Sequence, residues 1–238
     1  MPEQFTDELN QPPLDAGESP LHGYRGAAEA DAPLGAPLGL SIALTREAGS
    51  RGGTIARRAG EKLGWDVYSQ EMLEYGAQNQ ALRQELLDTL APAAGEWIEE
   101  HLRKFLDERN LNLHPNILEM ARLVLTLGAH GNVILLGRGA GFLLPTRSTL
   151  HVRLVAPLAD RVAYMSQWLR LTEEEAADQV RKRDHRRTEY LASHFHRKPN
   201  DVHLYDMVLN TSMLGEERCA DLIVAAAKAK MSAVVGMD

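Results

Sequence analysis

A short apolar segment of the chain runs directly into a glycine-rich turn, which is followed at once by a helical pattern. The apolar segment covers residues 40–44, the turn 49–53 and the helical pattern 54–63. A strand, a turn and a helix in this order aim backbone N–H groups and a helix N-terminus at a phosphate group. The segment therefore predicts a phosphate site at the end of a strand. An ordinary tight turn between a strand and a helix is the alternative.

The segment lacks the lysine of the usual phosphate-binding loop. That loop reads G-x-x-x-x-G-K-[ST], and Arg46, Arg51, Gly52 and Gly53 occupy its four defined positions here. The glycines still free the backbone to approach an anion. Arg51 within the turn and Arg46 beside it strengthen the prediction of a phosphate site, because guanidinium groups can bind two phosphate oxygens at once. We therefore expect Arg51 to replace the lysine. We expect the other backbone and hydroxyl contacts to the phosphates to come from Gly49, Ser50, Gly52, Gly53 and Thr54.

The rest of the chain alternates between apolar strand candidates and helical patterns. The strand candidates are residues 40–44, 65–68, 132–136, 150–155 and 205–210. The helical patterns cover 54–63, 70–127 (with breaks near Pro92 and at His114–Pro115), 157–169, the residues after Thr172, and 216–229. This alternation predicts an α/β fold, with a parallel sheet covered by helices on both faces. Ligands bind at the carboxyl ends of the strands in such sheets.

Composition divides the chain into a tail and a body. Residues 1–38 hold seven acidic residues, one arginine and six of the eleven prolines, so we expect a disordered tail before one domain, residues 39–238. The body is close to neutral, because the tail accounts for −6 of the net charge of −7. A single cysteine permits no internal disulfide, no run reaches the roughly 20 apolar residues of a membrane span, and the acidic start is unlike a secretory signal. These features predict a cytoplasmic protein.

A second glycine-rich segment follows the third strand candidate. Arg138 lies there between Gly137 and Gly139. Because the carboxyl ends of parallel strands meet at one edge of the sheet, Arg138 is placed to hold a second anion. We expect it to bind the phosphate of an acceptor molecule. A glycine-rich turn with a solvated arginine is the alternative.

A basic segment lies late in the chain, where residues 181–198 carry seven basic and two acidic residues. Helical spacing places Arg183 and Arg187 on one face, with Asp184 beside them. Such a segment can close over transferring phosphates as a cationic lid, which we assign to residues 181–204. A solvated helix end is one alternative. Nucleic-acid binding is another, which the low overall charge and the lack of interleaved aromatic residues disfavour.

Taken in order, several of these segments resemble the cytidylate kinase-like family of P-loop nucleoside monophosphate kinases. The resemblance rests on residues 41–64, 137–139, 150–161, 183–184 and 205–222, and it covers nearly all of residues 39–230. It implies a P-loop kinase fold with a five-stranded parallel sheet and a nucleoside triphosphate over the first glycine-rich turn. It also implies a basic lid at 183–187, and it would place the helical insert 70–127 on the acceptor side.

Two positions differ from true cytidylate kinases. Gly139 stands where those enzymes carry the aspartate of a Gly-Arg-Asp segment that helps to bind the monophosphate. Ser69 follows Tyr68, where those enzymes carry another aspartate for the monophosphate nucleoside. An unusual acceptor is therefore expected. The substrate-binding residues that we predict are Arg138, Tyr68 and Asp184.

These observations predict an ATP- and Mg²⁺-dependent phosphotransferase that acts on a nucleoside monophosphate (CMP-like) or a similar small phosphorylated acceptor. Arg51, Arg183 and Arg187 are the predicted catalytic residues, because positioning and charge carry phosphoryl transfer. The alternative is a catalytically reduced nucleotide-binding regulator or scaffold, which the missing lysine, the acidic tail and the helical insert favour. The histidines at 194, 196 and 203 match no zinc spacing, so no metal-ligating residues are assigned. Glu47, Asp66 and Asp184 are candidate Mg²⁺ ligands by position only. The sequence indicates no oligomeric state.

Overall fold

The computed structural model describes residues 39–235. The acidic tail predicted for residues 1–38 lies outside this range and stays a prediction. Within the range, no helix combines the length and the apolar character that crossing a membrane requires.

The described residues contain one sheet of five parallel strands, as predicted. The strands are β1 (Ser41–Arg46), β2 (Asp66–Tyr68), β3 (Val133–Leu136), β4 (Thr149–Val155) and β5 (Met207–Asn210). They lie in the order β2-β3-β1-β4-β5, so β1 is central and pairs with β3 on one side and with β4 on the other. The chain leaves β1 at the point where the strand order reverses. Ligands bind at this point in open parallel sheets.

Strand β1 is longer than its apolar pattern predicts. The pattern ends at Leu44, but β1 continues to Arg46, whose Cα pairs in register with Leu154 of β4. The hydrogen bonding between β1 and β4 extends beyond Leu44 because β4 continues alongside β1. The Leu154 carbonyl oxygen accepts the N–H of Glu47 at 3.0 Å. Arg46 is therefore a strand residue, and the sheet sets the position of its backbone.

Helices fill the intervals between the strands of the described range. They are α1 (Gly52–Leu63), α2 (Gln70–Gln78), α3 (Gln80–Asp88), α4 (Pro92–Arg109), α5 (Pro115–His130), α6 (Ala140–Leu143), α7 (Leu158–Leu169), α8 (Glu173–Phe195) and α9 (Thr211–Val235). The segment predicted to be mostly helical, 70–127, holds α2 to α5. Its predicted breaks fall where α4 and α5 begin, each with a proline at its first position, where a missing N–H costs nothing.

Helix ends follow the local chemistry of the sequence. Gly64 ends α1 in the left-handed conformation (φ 70°). Thr172 and Glu175 form a capping box at the start of α8. The last helix begins at Thr211, five residues before the predicted start, because the Asn210 side chain accepts the N–H groups of two residues in its first turn. A break at Gly215 (φ 77°, ψ 166°) then separates this turn from the rest of α9.

The two faces of the sheet are covered by different helices. Residues of α2, α4 and α5 build the hydrophobic cluster on one face, and residues of α1 and α9 build the cluster on the other. A third, small cluster joins α7 and α8 to the loop between β1 and α1; its buried members are Ala48, Met165, Ala176 and Val180. This cluster fixes the start of the predicted lid beside the glycine-rich turn.

The imidazole of His151, on β4, is a titratable group inside the core. It contacts the Thr45 hydroxyl at 3.1 Å and packs against the rings of Phe142 and Tyr205, with centroid separations of 5.0 and 4.6 Å. Burial lowers its pKa from 6.5 to about 4, against the opposing effects of a backbone hydrogen bond and of Asp206. His151 is therefore neutral in the folded protein at neutral pH.

This burial predicts a loss of stability in mild acid. The unfolded chain binds a proton at His151 with a pKa near 6.5, whereas the folded protein binds it only near 4. Stability contributed by the neutral imidazole is present above pH 6.5 and falls as the pH drops to 4, by at most about 3 kcal/mol. Urea unfolding at pH 7.0, 5.5 and 4.5 measures this loss. His151→Gln removes the titration, so its stability should depend less on pH; equal dependence in both proteins would contradict the prediction.

Candidate active site

A cavity of about 890 Å³ opens at the carboxyl ends of β1 and β3. Its walls come from the loop between β1 and α1 (residues 47–51, called the β1–α1 loop below), the start of α1, the start of α2, and α7 and α8. The predicted site residues that line it are Gly49, Arg51, Gly52, Gly53, Thr54, Arg138, Arg183, Asp184 and Arg187. The fold therefore brings together residues that were predicted separately from three parts of the chain.

The β1–α1 loop is shaped by close packing. Gly49 has φ 83°, and a Cβ there would lie 2.6 Å from the carbonyl oxygen of Arg161. Ser50 is buried, and both its hydroxyl and its N–H donate to the Glu47 carbonyl oxygen, at 2.8 and 3.3 Å. Ser50, predicted to contact phosphate, therefore stabilises the loop from within and does not line the cavity.

The start of α1 presents its backbone to the cavity. Arg51 is the N-cap, so Gly52 and Gly53 supply the first N–H groups of the helix, which have no intrahelical partner. A Cβ at Gly53 would meet no atom within 4 Å. These N–H groups and the helix dipole make this wall of the cavity suited to an anion.

The side chain of Arg51 points toward α7 and α9. Its guanidinium lies 5.0 Å from the centroid of the Tyr164 ring, and its Nε lies 3.8 Å from Glu216. The side chain is 41% exposed. Arg51 is thus at the edge of the cavity, next to Tyr164 and Trp168, whose rings lie nearly parallel at a centroid distance of 6.4 Å.

Asp184 ties α8 to the β1–α1 loop. Its Oδ1 accepts the N–H of Ala48 at 2.7 Å, and its Oδ2 accepts Nη1 of Arg161 at 2.6 Å. Arg161 is buried and also donates to the carbonyl oxygens of Ala48 and Ala156. Because both oxygens of Asp184 accept hydrogen bonds from the loop and from Arg161, this residue positions the lid helix. It also lines the cavity, and the substrate contact predicted for it stays a prediction.

Four arginines converge at the other end of the cavity: Arg46, Arg138, Arg183 and Arg187, called the arginine cluster below. The pKa of Arg46 is lowered to about 10, mainly by burial and also by the positive charge of Arg187. Burial also lowers the pKa of Arg187, against the opposing effect of Asp184. A concentration of positive charge in a partly buried site favours an anionic ligand.

Arg138 is oriented by the start of the helical insert. It forms an ion pair with Glu74 of α2, and its guanidinium lies over the Tyr190 ring at 4.8 Å. Its buried Nε has no hydrogen-bond partner in the described part of the chain. A buried donor of this kind is costly unless a ligand satisfies it. Arg138 is therefore suited to the anion-binding role that the sequence predicts.

Tyr68 lies apart from these residues. It packs against the hydrophobic cluster beneath the helical insert and does not line the cavity. The neighbouring residues at the start of α2 line it instead: Ser69, Gln70, Glu71 and Met72. The pKa of Glu71 is held below its usual range by hydrogen bonds from its own N–H and from the Ser69 hydroxyl.

Several site residues were missing from the sequence prediction. Arg46 and Glu71 line the cavity, Glu74 holds Arg138, and Tyr164 holds Arg51. The sequence prediction used Arg46 as support for a phosphate site but assigned it no role of its own, although it stands where the phosphate-loop pattern has its first glycine. The others follow from helix packing and have no local sequence signal.

Three curated proteins resemble parts of the chain. A uronate isomerase from Corynebacterium glutamicum is 34% identical over 103 residues, 43% of this chain and 20% of that protein. A cytidylate kinase from Sulfolobus acidocaldarius is 32% identical over 107 residues, 45% of this chain and 57% of that protein. A cytidylate kinase from Methanopyrus kandleri is 29% identical over 143 residues, 52% of this chain and 74% of that protein. The chain thus spans a fifth of the first relative and little more than half of the second.

One solved structure shares the fold over most of the chain. It is an uncharacterised protein from Eubacterium ventriosum, with a TM-score of 0.63 and 18% sequence identity. The match covers 80% of this chain and 98% of that one. At this identity, the likeness shows the fold alone.

A family model covers the site as well as the fold. The model of the cytidylate kinase-like family matches residues 41–213, from the first residue of β1 to the first turn of α9. The matched range includes the β1–α1 loop, the arginine cluster and the whole of α8. The protein therefore belongs to the cytidylate kinase-like family.

Proposed function

We propose that the protein is an ATP-dependent phosphotransferase that acts on a nucleoside monophosphate (CMP-like) or a similar small phosphorylated acceptor. The observation that carries this proposal is a single cavity with two regions suited to anions. The N-terminus of α1 forms one wall, the arginine cluster forms the other end, and α8 contributes to both. Two facing anion sites are what the transfer of a phosphoryl group between two phosphates requires.

The donor is proposed to bind at the start of α1. The N–H groups of Gly52 and Gly53 and the helix dipole would hold its β- and γ-phosphates, with Gly49 allowing the close approach of the loop. Arg51, at the exposed edge beside Tyr164, is available to a more distant part of the nucleotide or to its phosphates.

The acceptor is proposed to bind at the arginine cluster. Arg138 would hold its phosphate, and Arg183 and Arg187 would neutralise the charge that develops between the two substrates. An oxygen of the acceptor phosphate forms a bond to the γ-phosphorus while the bond from that phosphorus to the bridging oxygen of ADP breaks. The arginines stabilise this transfer by charge, so no side chain needs to act as a nucleophile.

The residues of the cavity fit a Mg²⁺ ion that arrives with ATP. In kinases this ion binds substrate phosphates and a small number of protein oxygens. The Thr54 hydroxyl, at the start of α1, is available, whereas Glu47 and Asp184 already bind Arg161 at 3.4 and 2.6 Å. Residues 39–235 contain no group of three or more His, Cys, Asp or Glu side chains that could hold a metal by itself. When bound, Mg²⁺ would neutralise charge on the β- and γ-phosphates.

The proposal predicts ADP release from ATP and Mg²⁺ with one of a panel of nucleoside monophosphates: CMP, dCMP, UMP, AMP and GMP. The expected turnover is about 1–100 s⁻¹ with the correct acceptor. Arg187→Gln should lower kcat by about 10²–10³-fold, because it removes a positioned charge from the arginine cluster.

Arg103→Ala is the matched control for the loss of an arginine. Arg103 is exposed on α4 and pairs with Asp107 of the same helix. This variant should have the kcat of the unmodified protein. Equal rates in Arg187→Gln and in the unmodified protein would contradict the proposed role of the cluster.

The alternative function, a nucleotide-binding regulator or scaffold without turnover, is favoured above all by the sequence of the β1–α1 loop and the start of α1. Gly52 and Gly53 stand at the positions of the lysine and the Ser/Thr of the usual loop. ATP binding by calorimetry together with no ADP release across the acceptor panel would support this alternative.

A further inference from the structure

We propose that Arg46 supplies the phosphate-binding cation that a lysine supplies in the usual loop, and that its guanidinium contacts the transferred phosphoryl group. This inference rests on the proposed phosphotransferase function and specifies the cation for it. The sequence prediction assigned the same role to Arg51, so the two assignments can be compared directly.

The side chain of Arg46 lies over Gly52, the position of the missing lysine. A Cβ at Gly52 would lie 2.6 Å from Cδ of Arg46 and 3.2 Å from its Cβ. Gly53, one residue further on, has no atom within 4 Å of the corresponding position. The crowding is therefore specific to Gly52. The stem of Arg46 fills the space in which the side chain of a lysine would begin.

The guanidinium of Arg46 reaches a second glycine. A Cβ at Gly137, just after β3, would lie 3.3 Å from Nη1 of Arg46. Gly52 thus leaves room for the stem of Arg46, and Gly137 leaves room for its head. The Arg46 side chain therefore extends from the start of α1 toward the Gly137–Arg138 turn. The guanidinium thus lies between the proposed donor site and the proposed acceptor site.

The charge of Arg46 is not matched by a neighbouring carboxylate. Arg138 pairs with Glu74, and Arg187 lies 3.5 Å from Asp184. Within residues 39–235, no carboxylate oxygen lies within 4.0 Å of the Arg46 guanidinium, and Glu71 acts on it from a greater distance. A largely buried cation among other arginines is unfavourable unless an anion joins it. The phosphoryl group is the anion that this cavity would bring there.

Arg51 has a different environment. It leaves the loop from a left-handed backbone (φ 59°), and its head lies against Tyr164 and Glu216. The side chain of Arg51 is 41% exposed to solvent, whereas Arg46 is only partly exposed. The geometry therefore assigns the central cation to Arg46 and leaves Arg51 at the rim.

The first experiment compares two variants of Arg46. Arg46→Met keeps an unbranched stem over Gly52 and removes the charge, whereas Arg46→Lys keeps a charge. We expect kcat for ADP release to fall by about 10²–10³-fold in Arg46→Met and by a clearly smaller factor in Arg46→Lys. Thermal unfolding of both variants verifies that each is folded at the assay temperature. Arg51→Ala is measured beside them and should lower kcat less than Arg46→Met does.

The second experiment moves the cation. Arg46→Gly removes the side chain, and the double variant Arg46→Gly/Gly52→Lys places a lysine in the space that becomes free. The double variant should recover at least about tenfold in kcat over Arg46→Gly, because it restores a cation at the usual position of the loop.

The inference is overturned if Arg46→Met keeps kcat within threefold of the unmodified protein, or if Arg46→Lys loses as much as Arg46→Met. Calorimetric binding of ATP separates this result from a failure of the proposed function. If no acceptor in the panel supports ADP release, the phosphotransferase proposal fails. In that case the affinity for ATP tests the role of Arg46, and Arg46→Met should weaken this affinity by at least tenfold. An unchanged affinity for ATP would overturn the inference.

Discussion

Replacing Asp184 with alanine is expected to lower kcat/KM for phosphoryl transfer by about 100-fold and to destabilise the fold. Asp184 is the link between α8 and the β1–α1 loop, since it accepts hydrogen bonds from Ala48 and Arg161. Without it, the charge of Arg161, whose side chain is only 10% exposed, loses a direct partner. Breaking a fully buried pair costs about 3–5 kcal/mol. Because Asp184 is 30% exposed, we expect about 1–3 kcal/mol here.

The kinetic loss has a separate cause. Arg183 and Arg187 lie on the same helix as Asp184. Without this link α8 is attached to the loop by the small cluster of Ala48, Met165, Ala176 and Val180, so the two arginines are held less firmly over the cavity. A displacement of about 1 Å in a positioning group can cost about 100-fold in rate. The loss should therefore appear in kcat as well as in KM.

Asp178→Ala is the matched control, because Asp178 lies on the same helix and pairs with Lys182 at the surface. Surface pairs of this kind contribute at most about 1 kcal/mol. Steady-state ADP release and urea unfolding are measured for both variants. Equal kcat/KM in the two variants would show that the link between α8 and the loop is not needed for transfer.

Replacing Gly49 with alanine is expected to lower the free energy of unfolding by about 2–4 kcal/mol. The left-handed conformation of Gly49 (φ 83°) accounts for about 1–2 kcal/mol of this loss. The added Cβ would also lie 2.6 Å from the carbonyl oxygen and 3.0 Å from the Cα of Arg161. Because these are backbone atoms, no side-chain rotation can relieve the contact. The loop or α7 must move.

Gly95→Ala serves as the control for this substitution. Gly95 lies inside α4, and a Cβ there would meet no atom within 4 Å. This variant should be unchanged or more stable by up to about 1 kcal/mol, since alanine favours a helix over glycine. Urea unfolding at neutral pH compares the two variants. Similar midpoints would contradict the packing described for the β1–α1 loop.

The architecture was largely predictable because its signals are local. Apolar runs of strand length, a glycine after α1, and a capping box at Thr172 each act within a few residues. Prolines marked the starts of α4 and α5 in the same way. The prediction was wrong about the start of α9, which depends on a side-chain cap at Asn210, and about the end of β1, where pairing with β4 extends the strand past the apolar run.

The candidate site was predictable only in part. Gly52 and Gly53, at the start of a helix, line the cavity as their place in the sequence pattern indicates, because such positions follow from the order of the elements. The placement of side chains was less predictable. Ser50 turns into the loop, Tyr68 packs into the core, and Asp184 binds the loop, although each was predicted to contact a ligand.

The order of strands and helices, the positions of the glycine-rich turns and the presence of a basic helix were determined by the sequence alone, because each depends on residues within a few positions of one another. Which side chains and backbone groups come into contact at the site was decided by the tertiary structure. Arg46 and Gly137 are 91 residues apart in the chain, and Ala48 and Asp184 are 136 apart. Such pairs depend on which strands are neighbours and on which side chain has room to enter, and packing distances of a few ångströms decide both.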